Sequence, residues 1–216
     1  MVDIAVIDYG MGNLRSVHNA LCSVAPGASV VVTSDPAVVA EAGRVVFPGQ
    51  GAMPDCMREL EARGLRQAVI NAAQNKPFLG ICIGLQMLFE RSTEGNVGCL
   101  GILPGEVVRF PHELRDALGG KLKVPHMGWN QVHRAGVHAD KHPMWQGIDQ
   151  DERFYFVHSY YVKTNDKSLV QAESNYPEPF VCAVARANLF AVQFHPEKSH
   201  TAGLQLLKNF VGWNPV

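Results

Sequence analysis

The sequence of 216 residues lacks an excess of positive charge and lacks a long hydrophobic run. Lys and Arg together number 19 and Asp and Glu number 20, so no net field would attract nucleic acid or an anionic membrane. The longest apolar stretch, residues 77–89, is too short to cross a bilayer and contains Gln86. Asp3 and Asp8 interrupt the first apolar run, which therefore does not resemble a signal peptide. We expect a cytoplasmic protein with no nucleic-acid partner and no membrane partner.

The sequence also lacks paired cysteines. None of the five forms a CxxC motif, and an odd number argues against a disulfide framework or a zinc ribbon. We predict no metal site and no cofactor. Most of the cysteines are expected to be small buried apolar residues, and the five are Cys22, Cys56, Cys82, Cys99 and Cys182.

Hydrophobic residues make up 47% of the chain and charged residues 18%, as in ordinary globular proteins. Strands are predicted over 3–9, 29–33, 44–47 and 77–81, with a turn at Asp35-Pro36, and a helix over 65–75. Asn13 is placed to cap another helix, because apolar residues recur behind it at helical spacing, at Leu14, Val17, Leu21 and Val24. This order predicts an α/β fold with a mostly parallel central sheet flanked by helices.

The second half of the chain changes character. The runs over 154–162, 169–173 and 180–194 are each predicted as strand structure joined by tight turns, one of them at Ala187-Asn188. We expect them to add antiparallel strands to the edge of the sheet. Residues 203–211 predict a closing helix, because Leu204, Leu207 and Val211 share one face. Since no linker or repeat interrupts the chain, we predict one domain over residues 1–216.

A cysteine at a strand-to-helix junction is the most informative feature. Cys82 follows the strand at 77–81 and has a glycine two positions away on either side, Gly80 and Gly84. This spacing is typical of a nucleophile elbow, in which a tight turn lifts the nucleophile above the sheet and glycine lets the helix approach the strand. The helix N-terminus would favour the thiolate. A buried structural cysteine between two packing glycines is the alternative.

A histidine and a glutamate follow the strand that ends at residue 194. His195 and Glu197 stand two positions apart, and Pro196 between them predicts an extended segment rather than a helix, with both side chains on one side. An imidazole that takes a thiol proton needs its second nitrogen held by an acceptor. We predict Cys82 as the nucleophile, His195 as the acid/base and Glu197 as the residue that orients His195. A surface histidine at a strand end is the alternative.

A glycine-flanked turn follows the strand at 44–47. Gly49, Gln50 and Gly51 can expose backbone N–H groups, and with the Ile83 amide they form a candidate oxyanion hole. In doubly wound sheets ligands gather at the carboxyl ends of strands, where this turn and both predicted catalytic groups are expected. An ordinary strand-ending turn is the alternative.

Three of these motifs, residues 48–51, 80–86 and 195–197, resemble in this order the class I (triad) glutamine amidotransferases. Within that family, residues 8–16, 124–130, 157–160 and 193–199 resemble the glutaminase subunits of imidazole glycerol phosphate synthases, and so does Leu85. The resemblance spans nearly the whole chain. It implies a class I amidotransferase fold and hydrolysis of glutamine, with the ammonia passed to a cyclase subunit of (β/α)8 barrel fold in a heterodimer. Gln50 departs from the pattern, because many members have an aliphatic residue there.

The same resemblance implies roles for further residues. Cys82 would form a γ-glutamyl thioester, and His195 would protonate the departing amine and later activate water. An amino-acid ligand needs an anion for its ammonium group, which suits Glu94, although Glu94 and Gln86 could instead be solvated residues at helix ends. Substrate glutamine would be held by Gly51, Gln86, Glu94, Ser159 and Tyr160. The face toward the cyclase would include Asn13, Arg15, His126, Trp129, Asn130 and Lys198.

Four other interpretations compete with this one. The turn 10–12 after the first strand suggests a dinucleotide-binding site, but Arg15 stands where the fingerprint needs a third glycine. His133, His138 and His142 suggest a metal cluster, but their spacing lacks a carboxylate pattern. The chain could also be a noncatalytic subunit that only binds a partner. Finally, it could be another class I glutaminase, such as a pyridoxal phosphate synthase subunit or an anthranilate-type subunit.

Overall fold

The N-terminal half of the molecule alternates strands with helices. The computed structural model describes residues 2–116, 118–136 and 139–215. Within them the chain begins with β1 (Ile4–Ile7), α1 (Leu14–Val24), β2 (Val30–Thr33), α2 (Pro36–Glu41), β3 (Arg44–Gly49), α3 (Met53–Ala62), α4 (Arg66–Asn75), β4 (Phe78–Cys82) and α5 (Ile83–Gln86). The strands lie side by side in the order β2, β1, β3 and β4 and are all parallel. This confirms the predicted parallel sheet.

β3 and β4 end at the same level. In their parallel register Phe47 lies opposite Gly80, and Gly49 lies opposite Cys82. Because the carboxyl ends of parallel strands meet at one edge of a sheet, the turn after β3 and the turn after β4 are neighbours. The register therefore brings the candidate oxyanion loop beside the candidate nucleophile.

The C-terminal half consists mainly of strands. They are β5 (Arg91–Ser92), β6 (Val97–Gly98), β7 (Glu106–Arg109), β8 (Leu114–Arg115), β9 (Lys121–Leu122), β10 (His126–Gln131), β11 (His133–Arg134), β12 (Arg153–His158), β13 (Tyr160–Lys163), β14 (Val170–Asn175), β15 (Pro179–Arg186) and β16 (Leu189–Val192), followed by α6 (His200–Gly212). β15, β13 and β7 extend the central sheet with antiparallel pairing, as predicted. β10 pairs with β12, and β8 with β9, outside that sheet.

β16 joins the two halves. It pairs antiparallel with β15 across the predicted Ala187-Asn188 turn, and it pairs parallel with β4, where Val192 lies opposite Ile81. A C-terminal strand therefore lies inside the sheet, next to the strand that carries the cysteine. His195 follows β16 at the same edge of the sheet as Cys82, as the strand-end argument predicts.

The run over 154–162, predicted as strand structure, consists of two strands in different sheets. β12 ends at His158 and pairs with β10, whereas β13 begins at Tyr160 and pairs with β7 and β15. The strand prediction is confirmed, but the break was not predicted because burial continues to alternate across it, at Phe154, Phe156, His158 and Val162. Periodicity alone cannot reveal such a bend.

Helix starts were also predicted imperfectly. The Asp35-Pro36 segment begins α2, because the Asp35 carboxylate accepts a hydrogen bond from the Ala37 N–H at 2.8 Å and proline is tolerated in the first turn. The sequence patterns did not predict α3. Asn13 does occupy the N-cap position of α1, but its side chain makes no capping hydrogen bond.

One hydrophobic cluster runs through both halves. It includes the fully buried Phe47 and Phe78 from the first half and Phe190 and Phe210 from the second. Burial of each such side chain contributes about 1.5–3 kcal/mol, so the cluster holds the two halves together. None of the helices in the described part of the chain is long and apolar enough to span a membrane.

Candidate active site

Cys82 lies in a strained turn between β4 and α5. Its φ of 55° and ψ of −109° fall in a region that residues other than glycine rarely adopt. A Cβ added at Gly84 would lie 1.8 Å from the Phe47 carbonyl oxygen, and a Cβ added at Gly80 would lie 3.0 Å from the Ala191 Cβ. Both neighbouring glycines are therefore needed for close packing around the turn. The cysteine has the backbone geometry of a nucleophile elbow.

The helix that follows Cys82 is only one turn long. α5 spans Ile83–Gln86, with Cys82 as its N-cap residue. A single turn carries a small part of a helix macrodipole, so the helix effect expected from the sequence is minor.

His195 is held by Glu197. The His195 Nδ1 atom lies 2.8 Å from Glu197 Oε1, and the two side chains are 6% and 1% exposed. The predicted extended segment is wrong here, because residues Pro196–Lys198 form a 3-10 turn. Proline fits at the start of such a turn, where its missing N–H is not needed. The tight turn, rather than an extended strand, brings the carboxylate back to the ring.

The Cys82 sulfur lies beside the His195 imidazole. Burial by itself lowers the pKa of His195, but the neighbouring Cys82 sulfur and the Glu197 carboxylate together raise it from 6.5 to about 10. The second ring nitrogen, Nε2, is buried and makes no hydrogen bond to any of the described residues. This environment favours the protonated form of the His195 imidazole at neutral pH.

A glutamine that the sequence patterns missed also contacts the sulfur. Gln193 Nε2 lies 3.6 Å from Cys82 Sγ, and Gln193 Oε1 accepts a hydrogen bond from Gln86 Nε2 at 3.0 Å. Gln193 is fully buried. Side chains two residues apart on a strand share one face. The position of Gln193, two residues before His195, could therefore have predicted that it belongs to the same site.

A cavity of about 210 Å³ opens in front of these groups. Nine of the predicted site residues line it: Gln50, Gly51, Cys82, Ile83, Gln86, Glu94, Ser159, Tyr160 and His195. Three more were missed as site residues: Pro125, Val157 and His158. The predicted oxyanion residue Gly49 is not among the lining residues, but it lies opposite Cys82 in the parallel register of β3 and β4. Residues from both halves of the chain therefore enclose one pocket, and Cys82 and His195 both line it.

Known proteins match the chain over nearly its full length. The family model of class I glutamine amidotransferases matches residues 5–213. The imidazole glycerol phosphate synthase subunit HisH of Aromatoleum aromaticum is 67% identical over 216 residues, which cover 100% of both chains. That of Thiobacillus denitrificans is 66% identical over 99% of this chain and 92% of its own length. The chain belongs to the HisH family of class I glutamine amidotransferases.

Solved structures share the fold at low sequence identity. A crystal structure of a glutamine amidotransferase superposes with a TM-score of 0.69 at 16% identity, covering 97% of this chain and 99% of that one. The PurLQS structure from Thermotoga maritima gives a TM-score of 0.66 at 18% identity, covering 98% and 99%. The predicted amidotransferase fold is thus confirmed for this member of the HisH family.

The loop at 49–51 packs closely against its neighbours beside Cys82. A Cβ added at Gly49 would lie 2.1 Å from the Tyr9 hydroxyl and 3.0 Å from the Ile83 Cβ. Gly51 has a φ of 120°, which favours glycine. The Gln50 carbonyl oxygen accepts a weak hydrogen bond from Cys56 Sγ at 3.7 Å. These contacts hold the backbone of the loop next to the amide of Ile83.

The predicted substrate residues differ in how they are held. Gln86 is 1% exposed and donates to the Tyr160 carbonyl oxygen at 2.9 Å, so it is not a solvated residue at a helix end. Glu94 Oε2 accepts a hydrogen bond from the Met53 N–H, at the start of α3, at 2.8 Å. Ser159 is the residue between β12 and β13. The bend that the sequence did not predict therefore supplies one wall of the pocket.

The residues predicted to face a partner are not all on the surface. Trp129 is 41% exposed and stacks on His200 with ring centroids 5.0 Å apart. Arg15 is exposed. His126 is only 4% exposed and lies inside, hydrogen-bonded to Asn130 at 3.3 Å. Asn13, which precedes α1, and Lys198 are partly exposed. The Lys198 Nζ atom lies 5.9 Å from the centre of the Tyr155 ring.

The competing metal site does not form among the described residues. No group of three or more His, Cys, Asp or Glu residues there is arranged to hold a metal ion. His133 Nδ1 contacts Asp151 at 2.5 Å, and His142 accepts a hydrogen bond from the Met144 N–H. His138 lies outside the described residues. Membership in the HisH family also replaces the dinucleotide-binding interpretation of the 10–12 turn.

Proposed function

We propose that this chain is the glutaminase subunit of an imidazole glycerol phosphate synthase and that Cys82, His195 and Glu197 hydrolyse glutamine to glutamate and ammonia. The observation that carries the proposal is a buried histidine that has the Cys82 sulfur on one side and Glu197 2.8 Å from its other nitrogen. An activated thiolate at the base of a small pocket suits covalent hydrolysis of an amide. Membership in the HisH family supports glutamine as the substrate.

The first half of the reaction breaks the carbon–nitrogen bond. The Cys82 thiolate attacks the side-chain carboxamide carbon of glutamine, and the carbonyl electron pair moves onto oxygen. Backbone N–H groups of Ile83 and of the Gly49–Gly51 loop, including that of Gln50, would stabilise this oxyanion. The His195 imidazolium protonates the departing nitrogen as the tetrahedral intermediate collapses. Ammonia leaves and a γ-glutamyl thioester remains on the sulfur.

The second half of the reaction releases glutamate. His195, now neutral, takes a proton from water as the water oxygen attacks the thioester carbon. The sulfur leaves as a thiolate. His195 then carries the proton taken from water, so both side chains are again in the state that begins the reaction. Glu197 keeps the ring oriented through both halves and balances its positive charge. The fixed 2.8 Å contact between His195 and Glu197 supports this role.

The remaining lining residues would recognise the amino-acid end of glutamine. We propose that Glu94 binds the α-ammonium group, since its carboxylate is already oriented by the Met53 N–H. Gly51, Ser159 and Tyr160 would contact the substrate through their backbones. Gln86, buried behind Tyr160, would hold that wall of the pocket in position.

A cysteine pair offers a matched test of the chemistry. Glutamate release should fall by at least about 10³-fold in Cys82→Ala, because the covalent route is lost. Cys22→Ala should keep activity within about twofold, since Cys22 is a half-buried residue on α1 away from the pocket. Mass spectrometry of the quenched reaction should detect the thioester only when Cys82 is present. Equal glutamate release from both variants would refute the mechanism.

We further propose that the ammonia passes to a cyclase subunit of (β/α)8 barrel fold. The exposed side chains of Met127 and Trp129 lie on β10, beside the pocket residue Pro125, and α1 packs against the 3-10 turn that carries Lys198. An exposed tryptophan and methionine surrounded by polar groups suit a docking surface. We expect glutaminase activity to be weak alone and much higher with the cyclase loaded with its ribonucleotide.

Binding to the cyclase can be tested on two exposed apolar side chains. Trp129→Ala should raise the Kd of the complex by at least about tenfold, whereas Val32→Ala on the edge strand β2 should leave it within about twofold. Isothermal titration of the two purified subunits measures both values. Unchanged affinity in Trp129→Ala would remove β10 from the interface, and equal turnover with and without the cyclase would refute the coupling.

We also propose that the whole chain acts as one domain in the cytoplasm. One hydrophobic cluster contains residues from β1 through α6, which supports a single unit. All five cysteines are free, which fits a reducing compartment. A single cooperative urea transition, seen equally by fluorescence and circular dichroism, is the expected outcome.

A further inference from the structure

Two buried histidines lie between the pocket and the exposed face of β10. His126 is 4% exposed and His158 is 6% exposed, and His126 Nδ1 lies 3.0 Å from His158 Nε2. The reaction steps described above use neither ring. Burial of a polar ring is costly unless its nitrogens have hydrogen-bond partners. The aromatic rings of four residues pack around the histidine pair: Phe110, Phe156, Tyr176 and Phe180.

The hydrogen bonds of the pair determine where each proton lies. A carbonyl oxygen can only accept, so His158 Nδ1 donates to the Tyr160 oxygen at 2.8 Å. In a neutral ring His158 Nε2 must then accept, and its donor is His126 Nδ1. His126 Nε2 in turn accepts from Asn130 Nδ2 at 3.3 Å. We call Asn130, His126, His158 and the Tyr160 carbonyl the histidine relay, in which every donor points toward the pocket.

Both rings of the histidine relay are neutral at physiological pH. Burial lowers the pKa of His158 to about 3, opposed by its hydrogen bond to the Tyr160 backbone and reinforced by the charges of His126 and His195. Burial lowers the pKa of His126 to about 4. Neutral rings are what the hydrogen-bond pattern requires, since a protonated ring would place two donors face to face.

The inner end of the relay reaches the nucleophile through side-chain amides. The Tyr160 carbonyl oxygen accepts a second hydrogen bond from Gln86 Nε2 at 2.9 Å. Gln86 also donates to Gln193, which donates to the Cys82 sulfur. Tyr160, Gln86 and Cys82 all line the pocket. The relay therefore fixes one wall of the pocket relative to the sulfur.

The outer end of the relay lies on β10. His126 is buried, whereas Met127 and Trp129 are 62% and 41% exposed on the other side of the strand. Side chains alternate between the two faces of a strand, so one backbone segment carries both the buried and the exposed side chains of β10. A partner bound to Met127 and Trp129 would contact the same strand that positions His126.

We propose that His126 and His158 are positioning residues that hold the Tyr160 carbonyl and Gln86 in the geometry that binds glutamine, and that they link this wall of the pocket to the exposed face of β10. The inference rests on the proposed glutaminase function and deepens it. The two histidines act through the Tyr160 carbonyl rather than on the reacting bond. Their loss should therefore alter glutamine binding more than turnover.

A pair of substitutions at His126 separates hydrogen bonding from packing. Asn at this position can keep a donor where Nδ1 stood, whereas Leu has a similar size and no donor. With the cyclase present, His126→Leu should raise the KM for glutamine about tenfold and change kcat by less than about threefold, because His158 Nε2 loses its donor. His126→Asn should keep KM within about threefold. Equal increases in KM, or no increase in His126→Leu, would overturn the proposal.

A measurement on the unsubstituted protein tests the relay without relying on activity or on variant folding. Imidazole ¹⁵N NMR at pH 7 should show both His126 and His158 as neutral rings protonated on Nδ1. A proton on Nε2 of either ring, or a charged ring, would contradict the relay. Absence of glutamate release from the unsubstituted protein with its cyclase would refute the glutaminase function instead, so the two failures are distinguishable.

Discussion

The two halves of the molecule build the active site by different means. In the first half, close backbone packing of β3, β4 and α5 forces Cys82 into its strained turn, with glycine at the contact points. In the second half, His195 and Glu197 are positioned by a hydrogen bond inside a buried interior. The position of Cys82 thus depends on close backbone packing, and the position of His195 depends on polar contacts.

Buried polar residues show the same difference. Among the described residues, the buried polar side chains are Gln86, Ser92, His126, His158, Gln171, Ser174, Gln193, His195 and Ser199. Only Gln86 belongs to the first half. Because buried polar groups need partners, the second half should be sensitive to loss of charge or protonation, and the first half to added volume.

Glu197→Gln should have the largest effect and would act on the second half. The amide keeps the shape of the carboxylate but cannot balance the charge of His195 or hold its tautomer, so glutaminase kcat should fall about 10³- to 10⁴-fold. Glu61→Gln, on the exposed end of α3, is the control and should leave kcat unchanged. Steady-state kinetics with the cyclase measures both. A loss below tenfold would mean that Glu197 does not orient the base.

Gly84→Ala should have the next largest effect and would act on the first half. Its Cβ would lie 1.8 Å from the Phe47 carbonyl oxygen, so backbone must shift, at a cost of about 3 kcal/mol in unfolding free energy. Gly27→Ala, where nothing lies within 4 Å of the added Cβ, should change stability little. Urea unfolding compares the two. If both variants unfold at the same midpoint, close packing does not govern the elbow.

Acid should destabilise the protein through buried histidines in the second half. This change in unfolding free energy per pH unit is expected to be the smallest of the three effects. Below pH 6.5 the unfolded chain binds protons that buried His126 and His158 do not, since burial lowers their folded pKa values to about 4 and about 3. Unfolding free energy should therefore fall as pH drops from 6.5 to 4, by up to about 1.4 kcal/mol per unit for each ring.

One variant isolates this dependence. His126→Asn should reduce the pH slope of the unfolding free energy by the contribution of one histidine. Urea titrations at pH 6.5, 5.5 and 4.5 measure the slope. An unchanged slope in His126→Asn would show that this ring is protonated in the folded protein or already neutral in the unfolded one.

The first half was largely predictable because its signals are local. The strand runs, the helix after Asn13 and the glycines around Cys82 each stand within a few residues of what they determine. α3 and the capping role of Asp35 were not predicted. Asp35-Pro36 was predicted as a turn, whereas proline is tolerated in the first turn of a helix, as α2 and α3 both show.

The second half was less predictable because its decisive features depend on long-range pairing. The alternation through residues 154–162 continued across the bend at Ser159, and nothing in the sequence shows that β12 and β13 enter different sheets. Likewise, His126 resembled a surface residue of a partner face but is buried among aromatic rings. Burial of a polar residue follows from its neighbours in space.

The sequence by itself determined the class of fold, the elbow at Cys82 and the identity of His195 and Glu197 as its candidate partners, because glycine spacing and strand ends are local consequences of backbone sterics. Only the tertiary structure decided that β16 lies beside β4, that a 3-10 turn returns Glu197 to the ring, and that Gln193 contacts the sulfur. These depend on strand register and burial, which arise when distant segments pack together.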